Sequence, residues 1–452
     1  MTVNVEAFWS ALRREQFLLV GIGGVTGAAV ARLFRRMGVP FRVSDSLATA
    51  EIARLVLELG IPEEDAFIGF QLPEQLEHIT QVLVSPGVPR SLHLLEVART
   101  RKIPVWCDFD LLYPLFAHKT IAAITGTDGK TTTTTLLGHL LESSRSLVVA
   151  GNTNMPLCAA YDELLDRDVI VLELSSFMLE DLRQFRSNVA TVLNIAEDHV
   201  DRYPNLLEYA AAKRNIVRYA RPGDVFVQNM DDPVVSDWLL PTLAVRTVSL
   251  TKHAHFYLDG SALCFGSHRL ATGRLQVRGQ HLLCDVLVAL AMAIEIGLDP
   301  EEARSRLESF QGVPHRFEFV AQYKGVDVID DSKATSVHAV ARGLENFTDR
   351  KVVLLLGGRD KMLDAHPLRR FAPQLVAVVG YGEAGPRLLA QLGLKESYHV
   401  HRFDEAVRVA CQLVRPGDAL LLSPACTSFD QHRDYQERGE QFRQLAQLYL
   451  SA

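Results

Sequence analysis

Thr120-Ile-Ala-Ala-Ile-Thr-Gly-Thr-Asp-Gly-Lys-Thr-Thr-Thr133 is the stretch that decides the fold of this chain. It reads as a short apolar strand, a turn with two glycines and the threonine-rich start of a helix. Gly126 and Gly129 allow successive backbone N–H groups to point at one spot. Lys130 is placed to reach the β- and γ-phosphates of a nucleotide, and the Thr131 hydroxyl is placed to ligate Mg²⁺. The stretch therefore predicts a phosphate-binding loop.

The loop is shorter than the standard one. Ile124 stands six positions before Lys130, where the standard loop has its first glycine. The shortened form indicates a subset of P-loop enzymes. The alternative interpretation is a glycine-rich turn with an incidental lysine, which the order of strand, loop, Lys-Thr and helix disfavours.

The length of 452 residues predicts about three domains. Strands alternate with helical patterns in each third of the chain, which predicts an α/β fold. We expect a Rossmann-like N-terminal domain at residues 1–110, a central P-loop ATPase-type domain at 111–312 and a C-terminal Rossmann-like α/β domain at 313–452.

Charge and apolar content exclude several classes of protein. Lys and Arg number 47 and Asp and Glu 54, and the resulting net charge of -7 disfavours nonspecific nucleic-acid binding. Residues 1–14 lack the pattern of a leader, and the most apolar helical stretch, 286–298, is shorter than the roughly 20 residues of a membrane span. Six scattered cysteines without a C-x-x-C pair indicate reduced thiols. We expect a cytoplasmic protein that does not insert into membranes.

The first segment opens with a strand, a glycine-rich turn at residues 21–27 and a second strand that ends on Asp45. This βαβ start is typical of dinucleotide enzymes and leaves an NAD-dependent oxidoreductase as one hypothesis. Thr26 stands where the fingerprint has its third glycine, so a domain for a different nucleotide diphosphate fits equally well. Ser85-Pro-Gly87 follows another strand, at the edge where α/β sheets bind ligands, although a tight turn is the alternative.

Two strands of the second segment are followed by polar residues. Glu173 closes one strand, and the cluster of Asp198, His199 and Asp201 follows the other. Hard cations prefer oxygen ligands, so these positions predict metal or phosphate chemistry, with a solvated loop as the alternative for the cluster. Lys213 lies on a helix, where position alone predicts a surface residue.

The ordered set of motifs resembles the Mur ligase family over nearly the whole chain. Besides the short loop, the resemblance rests on Glu173-Leu-Ser-Ser-Phe-Met-Leu-Glu, Asn194 with Asp198-His-Val-Asp-Arg-Tyr, Tyr209 with Lys213, Pro314-His-Arg-Phe-Glu, Asp331-Ser-Lys-Ala-Thr, Leu356-Gly-Gly-Arg-Asp-Lys and Ser423-Pro-Ala-Cys-Thr-Ser-Phe-Asp-Gln. The last two strings, with Ser-Lys-Ala-Thr, favour the D-glutamate-adding branch of the family.

The resemblance implies an ATP-dependent amide ligase of peptidoglycan precursor synthesis. It would add D-glutamate to UDP-N-acetylmuramoyl-L-alanine through an acyl phosphate, as a monomer. The alternatives are a related Mur-type or folylpolyglutamate-type ligase with another amino-acid preference, including L-glutamate, or a nonenzymatic protein that binds a nucleotide without turnover.

The resemblance also implies roles for individual residues. It gives catalytic roles to Lys130, Lys213, His199 and Glu173. It assigns ATP binding to Gly126, Thr127, Asp128, Gly129, Lys130, Thr131, Thr132, Asp285, Arg316 and Asp331. It assigns the UDP-linked substrate to Thr26, Asp45, Ser46, Ser85, Gly87, Asn152 and His199, and glutamate to Thr335, Lys361, Ser428 and Tyr435. Two Mg²⁺ ions would be held by Thr131, Glu173, His199 and a carbamylated Lys213.

The chain departs from the family pattern at several positions, including four that bear on ATP or glutamate binding. Asp128 stands where Asn is usual, and we expect its charge to weaken ATP binding. Leu282 and Asp285 replace two Asn residues on the adenine side, and Tyr435 replaces a Phe of the glutamate pocket.

Overall fold

The computed structural model describes residues 3–153, 155–199, 202–275 and 279–451, without the side chains of Gln280 and His281. Asp201 of the predicted polar cluster lies outside the described residues.

The first sheet has five parallel strands in the order β3-β2-β1-β4-β5. Its elements are α1 Val5–Leu12, β1 Phe17–Val20, α2 Val25–Met37, β2 Phe41–Asp45, α3 Ala50–Glu58, β3 Ala66–Ile68, β4 Gln81–Val84, α4 His93–Thr100, β5 Val105–Trp106 and α5 Asp108–Phe116. All four residues of β1 are buried, as expected for a central parallel strand covered on both faces.

The second sheet has nine strands in the order β14-β13-β12-β11-β10-β9-β6-β8-β7. Its elements are β6 Thr120–Thr125, α6 Lys130–Leu141, β7 Leu147–Gly151, α7 Tyr161–Asp166, β8 Val169–Glu173, α8 Ser176–Leu179, β9 Val189–Val192, α9 Leu206–Arg214, β10 Val225–Asn229, β11 Ala244–Ser249, β12 Phe256–Asp259, β13 Ala262–Phe265, β14 His268–Ala271, α10 Gln280–Glu295 and α11 Pro300–Ser309.

The sequence pattern predicts a hairpin-rich stretch from about residue 245 to 278, and this is only partly right. β12 and β13 form an antiparallel hairpin, but β11 lies parallel to both β10 and β12. Short strands with similar alternation give no signal for strand direction, which depends on where the connecting segment returns. Residues 276–278 lie outside the described part of the chain.

The third sheet has six strands in the order β15-β16-β20-β17-β18-β19. Its elements are β15 Glu318–Tyr323, β16 Val326–Asp330, α12 Val337–Leu344, β17 Val352–Gly357, β18 Leu375–Tyr381, α13 Gly385–Leu392, β19 Ser397–His399, α14 Phe403–Leu413, β20 Ala419–Ala425 and α15 Tyr435–Ser451. Among the described strand pairs of this sheet, only β15–β16 is antiparallel.

The chain forms two compact units. One comprises residues 1–270 and 285–306, and the other 271–284 and 307–452. Within the first unit the two sheets share a continuous apolar core, and Trp9 of α1 donates its indole N–H to the Tyr161 hydroxyl at 2.6 Å. The predicted boundary at 110/111 falls inside α5, so this helix links the first two sheets. No helix in the described ranges is long and apolar enough to cross a bilayer.

Asp108, at the start of α5, provides a pH-dependent prediction. Its side chain is 1% exposed, and burial raises its pKa from 3.8 to about 6, because nearby backbone amides offset only part of the lost hydration. The unfolded chain releases this proton at lower pH than the folded protein does. The free energy of unfolding should therefore decrease as the pH rises from about 4 to about 6, and it should keep the lower value at higher pH. Asp108→Asn should therefore stabilise the protein by about 2–3 kcal/mol at pH 8 and by little at pH 4, as measured by urea unfolding.

Asp110 supplies a matched control two positions away. It is equally buried, but its carboxylate accepts the backbone N–H groups of Arg183 at 2.7 Å, Gln184 at 3.0 Å and Phe185 at 2.7 Å. Burial raises the pKa of Asp110 as well, in spite of these bonds. Asp110→Asn weakens the three bonds, so it should stabilise the protein less than Asp108→Asn does at pH 8, as measured by the same urea unfolding. Destabilisation by Asp108→Asn at pH 8 would contradict the penalty that burial places on the charged form of Asp108.

Candidate functional site

The phosphate-binding loop joins β6 to α6, in the predicted order. Gly129 has a φ of +81°, and a Cβ there would lie 2.3 Å from Asp285 Oδ1, so only glycine fits. Asn194, just beyond β9, accepts the Thr127 N–H through its main-chain oxygen at 3.0 Å and the Asp128 N–H through its side chain at 2.9 Å. The loop is thus held in place by the neighbouring strand, and Asp285 lies against it.

Lys130 begins α6 and folds back over the loop. Its Nζ donates to the carbonyl oxygens of Gly126 at 2.8 Å and Thr127 at 2.7 Å. Thr131 and Thr132 follow in the first helical turn, where the N–H groups of a helix start favour an anion. The loop therefore combines a fixed cation with a helix N-terminus.

Lys213 on α9 reaches the same loop. Its Nζ donates to the Gly126 carbonyl at 2.8 Å and lies 4.6 Å from the centre of the Tyr209 ring. The side chain is 1% exposed, so the surface position expected from the helix alone is wrong. Burial, together with the charge of Lys130, lowers the pKa of Lys213 well below its usual value of 10.5.

Glu173 ends β8 directly beside the loop strand, since it pairs in register with Ile124 of β6. The side chain is 1% exposed, and its Oε1 accepts a hydrogen bond from Asn152 Nδ2 at 3.0 Å. Its Oε2 is buried and has no hydrogen-bond partner among the described protein atoms. A buried carboxylate oxygen without a donor is suited to a cation.

His199 is exposed and has a positive φ of 51°. Its Nε2 lies 3.5 Å from Asp198 Oδ2, and its ring centroid lies 4.5 Å from that of Phe177. In the described part of the chain, the potential metal-ligand atoms of Glu173, Asp198 and His199 do not all lie within 4.8 Å of one another. His199 therefore adjoins the loop region without completing a preformed three-residue metal site.

In the described chain, one group of three residues does have its potential metal-ligand atoms within 4.8 Å of one another. It consists of His315, Glu318 and Asp330. Arg443 already occupies it, because its Nε lies 3.0 Å from Asp330 Oδ2, its Nη2 contacts Glu318, and the same Nη2 lies 3.3 Å from His315 Nδ1. The guanidinium supplies the positive charge, so we interpret this group as an ion-pair network.

A cavity of about 700 Å³ opens at the carboxyl ends of the first sheet. Its lining includes six of the seven residues predicted to bind the UDP-linked substrate, namely Thr26, Asp45, Ser46, Ser85, Gly87 and Asn152. His199 is not among the lining residues. The Asp45 carboxylate accepts the N–H groups of Gly23 at 2.9 Å and Leu47 at 3.0 Å, and these bonds fix the turns that shape the cavity.

The second compact unit holds two of the predicted ATP-binding residues. Arg316 is half-buried between His315 and Phe317, which both have positive φ values. Asp331 accepts the Ser423 hydroxyl at 2.7 Å and the Phe317 N–H at 3.0 Å. Burial raises the pKa of Asp331 to about 7 in spite of these bonds.

The predicted glutamate residues also lie in this unit. Lys361 Nζ donates to the main-chain oxygen of Thr335 at 3.3 Å, so the structure brings these two together. Ser428 is 2% exposed, and the Tyr435 ring lies 4.0 Å from Lys333 Nζ. Thr335, Lys361 and Ser428 follow strands β16, β17 and β20, which are neighbours in the sheet.

Reasoning from the sequence missed Arg438 and Arg443, both on α15. Arg438 is fully buried, and Arg443 holds the ion-pair network around Asp330. Single arginines on a helix with many polar neighbours are typical of a solvated face, so no local signal identifies either residue.

Three α/β sheets, with one phosphate-binding loop and a buried carboxylate on the adjacent strand, define a P-loop nucleotide-binding protein. The family model for the Mur ligase middle domain matches residues 124–293, and the model for the Mur ligase, glutamate ligase domain matches residues 315–426. The chain belongs to the Mur ligase family.

Full-length relatives agree with this assignment. The chain is 36% identical over 447 residues to a UDP-N-acetylmuramoylalanine--D-glutamate ligase of Geotalea uraniireducens, covering 96% of this chain and 97% of the relative. It is also 36% identical over 464 residues to the protein of the same name from Salinibacter ruber, covering 97% and 99%.

Solved structures show the same fold. The MurF ligase of Thermotoga maritima in complex with ADP matches with a TM-score of 0.61 and 16% identity, covering 97% of this chain and 98% of that one. The UDP-N-acetylmuramate-alanine ligase of the same organism matches with a TM-score of 0.59 and 23% identity, covering 96% and 99%. The predicted α/β fold is confirmed. Membership of the Mur ligase family and the names of the full-length relatives show that the protein is a ligase, and Mur ligases are ATP-dependent. The oxidoreductase and nonenzymatic alternatives are therefore wrong.

The charge of Asp128 gives a prediction for nucleotide affinity. Asp128→Asn should lower the KM for ATP by about three- to tenfold, because one charge at several Å in a partly hydrated site contributes about 1 kcal/mol. The effect should shrink as ionic strength rises. Asp166→Asn, at the exposed end of α7, is the control and should leave KM unchanged. An unaltered KM for Asp128→Asn at low salt would contradict the repulsion.

Proposed function

We propose that the protein joins D-glutamate to UDP-N-acetylmuramoyl-L-alanine while ATP is converted to ADP and phosphate, in peptidoglycan precursor synthesis. The observation that carries this proposal is the 36% identity, across 96% of the chain, to a relative named for that reaction. The protein acts in the cytoplasm as a monomer, with its three sheets as domains near residues 1–110, 111–312 and 313–452.

The reaction takes two steps. A carboxylate oxygen of the acceptor attacks the γ-phosphorus of ATP, and ADP leaves as an acyl phosphate forms. The amine nitrogen of D-glutamate then attacks the carbonyl carbon, loses a proton, and phosphate leaves. Negative charge moves in both steps, so the site requires fixed positive charge. Lys130, held over the loop by two carbonyl oxygens, supplies that charge at the transferred phosphoryl group.

The residues beside the loop fit Mg²⁺. Glu173 offers a buried carboxylate oxygen without a hydrogen-bond partner in the described chain, and Thr131 offers a hydroxyl at the helix start. Both are oxygen ligands of the kind that Mg²⁺ binds. A bound ion would offset phosphate charge at the loop. His199 is the candidate protein ligand for a second ion.

Lys213 acts in carbamylated form. Its buried amine has a lowered pKa, so it is neutral at a pH where an exposed lysine is charged. The neutral nitrogen adds to the carbon of CO₂ and loses one proton, which leaves an N-linked carboxylate. That group offers two oxygens to a cation, whereas an ammonium at this position would repel Mg²⁺.

The remaining predicted residues bind the substrates. The cavity at the first sheet takes the UDP-linked acceptor, because six predicted residues line it. Arg316 and Asp331 bind the nucleotide. Thr335, Lys361, Ser428 and Tyr435 hold glutamate, with Lys361 as the counter-charge to a carboxylate.

A panel of amino acids in a phosphate-release assay tests the proposal. With ATP and UDP-N-acetylmuramoyl-L-alanine present, D-glutamate should support phosphate release, and L-glutamate and other amino acids should not. Release with L-glutamate alone would overturn the stereochemical assignment. Release with a folate acceptor would favour the folylpolyglutamate-type alternative. Reactions without an acceptor, and reactions with the Lys130→Ala protein, serve as controls for contaminating ATPase.

A further inference from the structure

The turn at residues 85–89 follows β4 and has open space on two sides. It lines the cavity of about 700 Å³ at the first sheet, and Gly87 and Pro89 also line a second cavity of about 510 Å³. Among the described residues, a Cβ added to Gly87 would meet no atom within 4 Å beyond its two chain neighbours. Packing therefore does not by itself fix this segment, which we call the acceptor turn.

Arg202 connects the acceptor turn to α8. Its Nη1 donates to the main-chain oxygen of Pro86 at 3.0 Å. Its other two nitrogens bind Glu180, directly after α8, with Nε donating to Oε1 at 2.9 Å and Nη2 to Oε2 at 2.6 Å. The side chains of Arg202 and Glu180 are 10% and 14% exposed. Because a planar guanidinium holds its partners in a fixed geometry, Arg202 fixes the acceptor turn relative to α8.

Glu180 is itself held in place by further donors. The Tyr203 hydroxyl donates to its Oε1 at 2.5 Å, and Arg90 Nε lies 3.5 Å from its Oε2. Arg90 also reaches two main-chain oxygens of the acceptor turn, both at 3.4 Å. These bonds are longer than the 3.0 Å bond from Arg202, and hydrogen bonds weaken with distance. Arg202 therefore makes the shorter of the contacts that join Glu180 to the turn.

Arg202 is also attached to the segment that carries His199. Its backbone N–H donates to the main-chain oxygen of His199 at 2.9 Å. The Phe177 ring of α8 contacts both residues, because its centroid lies 4.1 Å from Arg202 Cζ and 4.5 Å from the centroid of the His199 ring. A shift of Arg202 would therefore change the spacing between the acceptor turn, α8 and His199.

This spacing bears on the proposed reaction. The UDP-linked acceptor is bound at the first sheet, but its carboxylate reacts at the phosphate-binding loop of the second sheet. The distance between the two places decides whether the carboxylate reaches the γ-phosphorus of ATP. A misplacement of about 1 Å is enough to lower a rate by on the order of a hundredfold.

We propose that Arg202 is a positioning residue for the UDP-linked acceptor, which holds the acceptor turn at a fixed distance from α8 and His199. The inference rests on the proposed function, because it takes the cavity at the first sheet to be the acceptor site. It gives a role to an arginine that the proposed function leaves without one.

The test measures binding of UDP-N-acetylmuramoyl-L-alanine without ATP, by titration calorimetry. Arg202→Met keeps an apolar stem beside Phe177 and removes the guanidinium. It should raise the Kd for the acceptor at least about tenfold, the effect of losing roughly one hydrogen bond to a displaced turn. Backbone amides of residues 87–91 should also exchange with solvent faster. With saturating acceptor, the KM values for ATP and D-glutamate should stay within about twofold.

Arg202→Lys is the conservative variant. A lysine keeps the positive charge beside Glu180, but it lacks the fork that reaches Glu180 and Pro86 together. It should therefore raise the Kd for the acceptor by less than Arg202→Met does. If Arg202→Met does not fold, an unchanged Kd in a folded Arg202→Lys protein would overturn the inference.

Arg186→Met is the matched control. Arg186 forms a two-pronged ion pair with Asp224, through Nε at 2.6 Å and through Nη2. The pair precedes β9 and β10, at the opposite end of these strands from the phosphate-binding loop. Arg186→Met should lower the melting temperature and leave the Kd for the acceptor within about twofold. Equal weakening of acceptor binding in the Arg186 and Arg202 variants, or a parallel loss of ATP affinity in Arg202→Met, would indicate a purely structural role and overturn the inference.

The two proposals fail in different ways. Unaltered protein that does not bind UDP-N-acetylmuramoyl-L-alanine would overturn the proposed acceptor, and the Arg202 inference with it. Unaltered protein that binds this acceptor and releases phosphate with D-glutamate, but whose Arg202→Met variant binds the acceptor equally well, would overturn the Arg202 inference alone.

Discussion

Lys130→Ala should lower kcat for phosphate release by about 10²–10³-fold or more, the effect of removing one fixed charge from a transition state. The expected cause is the loss of the Nζ that is held over Gly126 and Thr127. Steady-state release of phosphate with saturating substrates measures the effect. A variant with near-normal turnover would contradict the role of this loop in phosphate binding.

Lys119 provides the matched control, since it also donates to two main-chain oxygens in the same unit. Its Nζ contacts Leu165 O at 2.7 Å and the oxygen of Arg167, at the opposite end of β6 from the loop. Lys119→Ala should lower the melting temperature and leave kcat within about twofold, because it removes lysine–carbonyl bonds but no charge from the site. Equal losses of kcat in the two variants would attribute the Lys130 effect to folding.

Lys213→Ala should lose at least about 10²-fold in kcat, because it removes the proposed carbamate that holds a cation. Short carboxylates such as formate and acetate should restore part of the activity, since they place two oxygens in the space left by the side chain. The same carboxylates should not restore the activity of Lys130→Ala, because that variant lacks the positive charge of a lysine ammonium. Unaffected turnover in Lys213→Ala would show that the residue has no role in the reaction.

The stability of a Lys213 variant separates its chemistry from its packing. The lowered pKa means that, for the uncarbamylated protein, the folded state binds the Lys213 proton less tightly than the unfolded chain does. Between the two pKa values the unfolded chain holds more protons, so stability contributed by this group rises with pH and is lost as pH falls. Lys213→Met keeps most of the apolar stem and should therefore be at least as stable at pH 7. Lower activity with undiminished stability would place the role of Lys213 in the site.

Local sequence patterns predict the phosphate-binding loop and the alternation of strands and helices. The loop requires two glycines, a lysine and a helix start within a few residues, and each of these is a short-range feature. The edge of the first sheet is also predictable, because parallel strands place the residues that follow them at one edge. That rule explains why Ser85 and Asp45 line one cavity with Thr26.

Strand direction, burial and ion pairing depend on contacts between distant parts of the chain. The parallel pairing of β11 depends on the return path of the chain, which alternation does not encode. Arg438 reads as a solvated helix residue, and its burial follows only from contacts with turns that lie up to 106 positions away.

The sequence by itself therefore determined the α/β fold, the phosphate-binding loop and the membership of a ligase family. The tertiary structure decided which side chains lie beside the loop, and how deeply each is buried and hydrogen-bonded there. It buries Lys213 against Gly126 and leaves one oxygen of Glu173 without a hydrogen-bond partner in the described chain. The physical reason is that backbone conformation follows from residues a few positions apart, whereas the hydration of a charged group depends on every element packed against it.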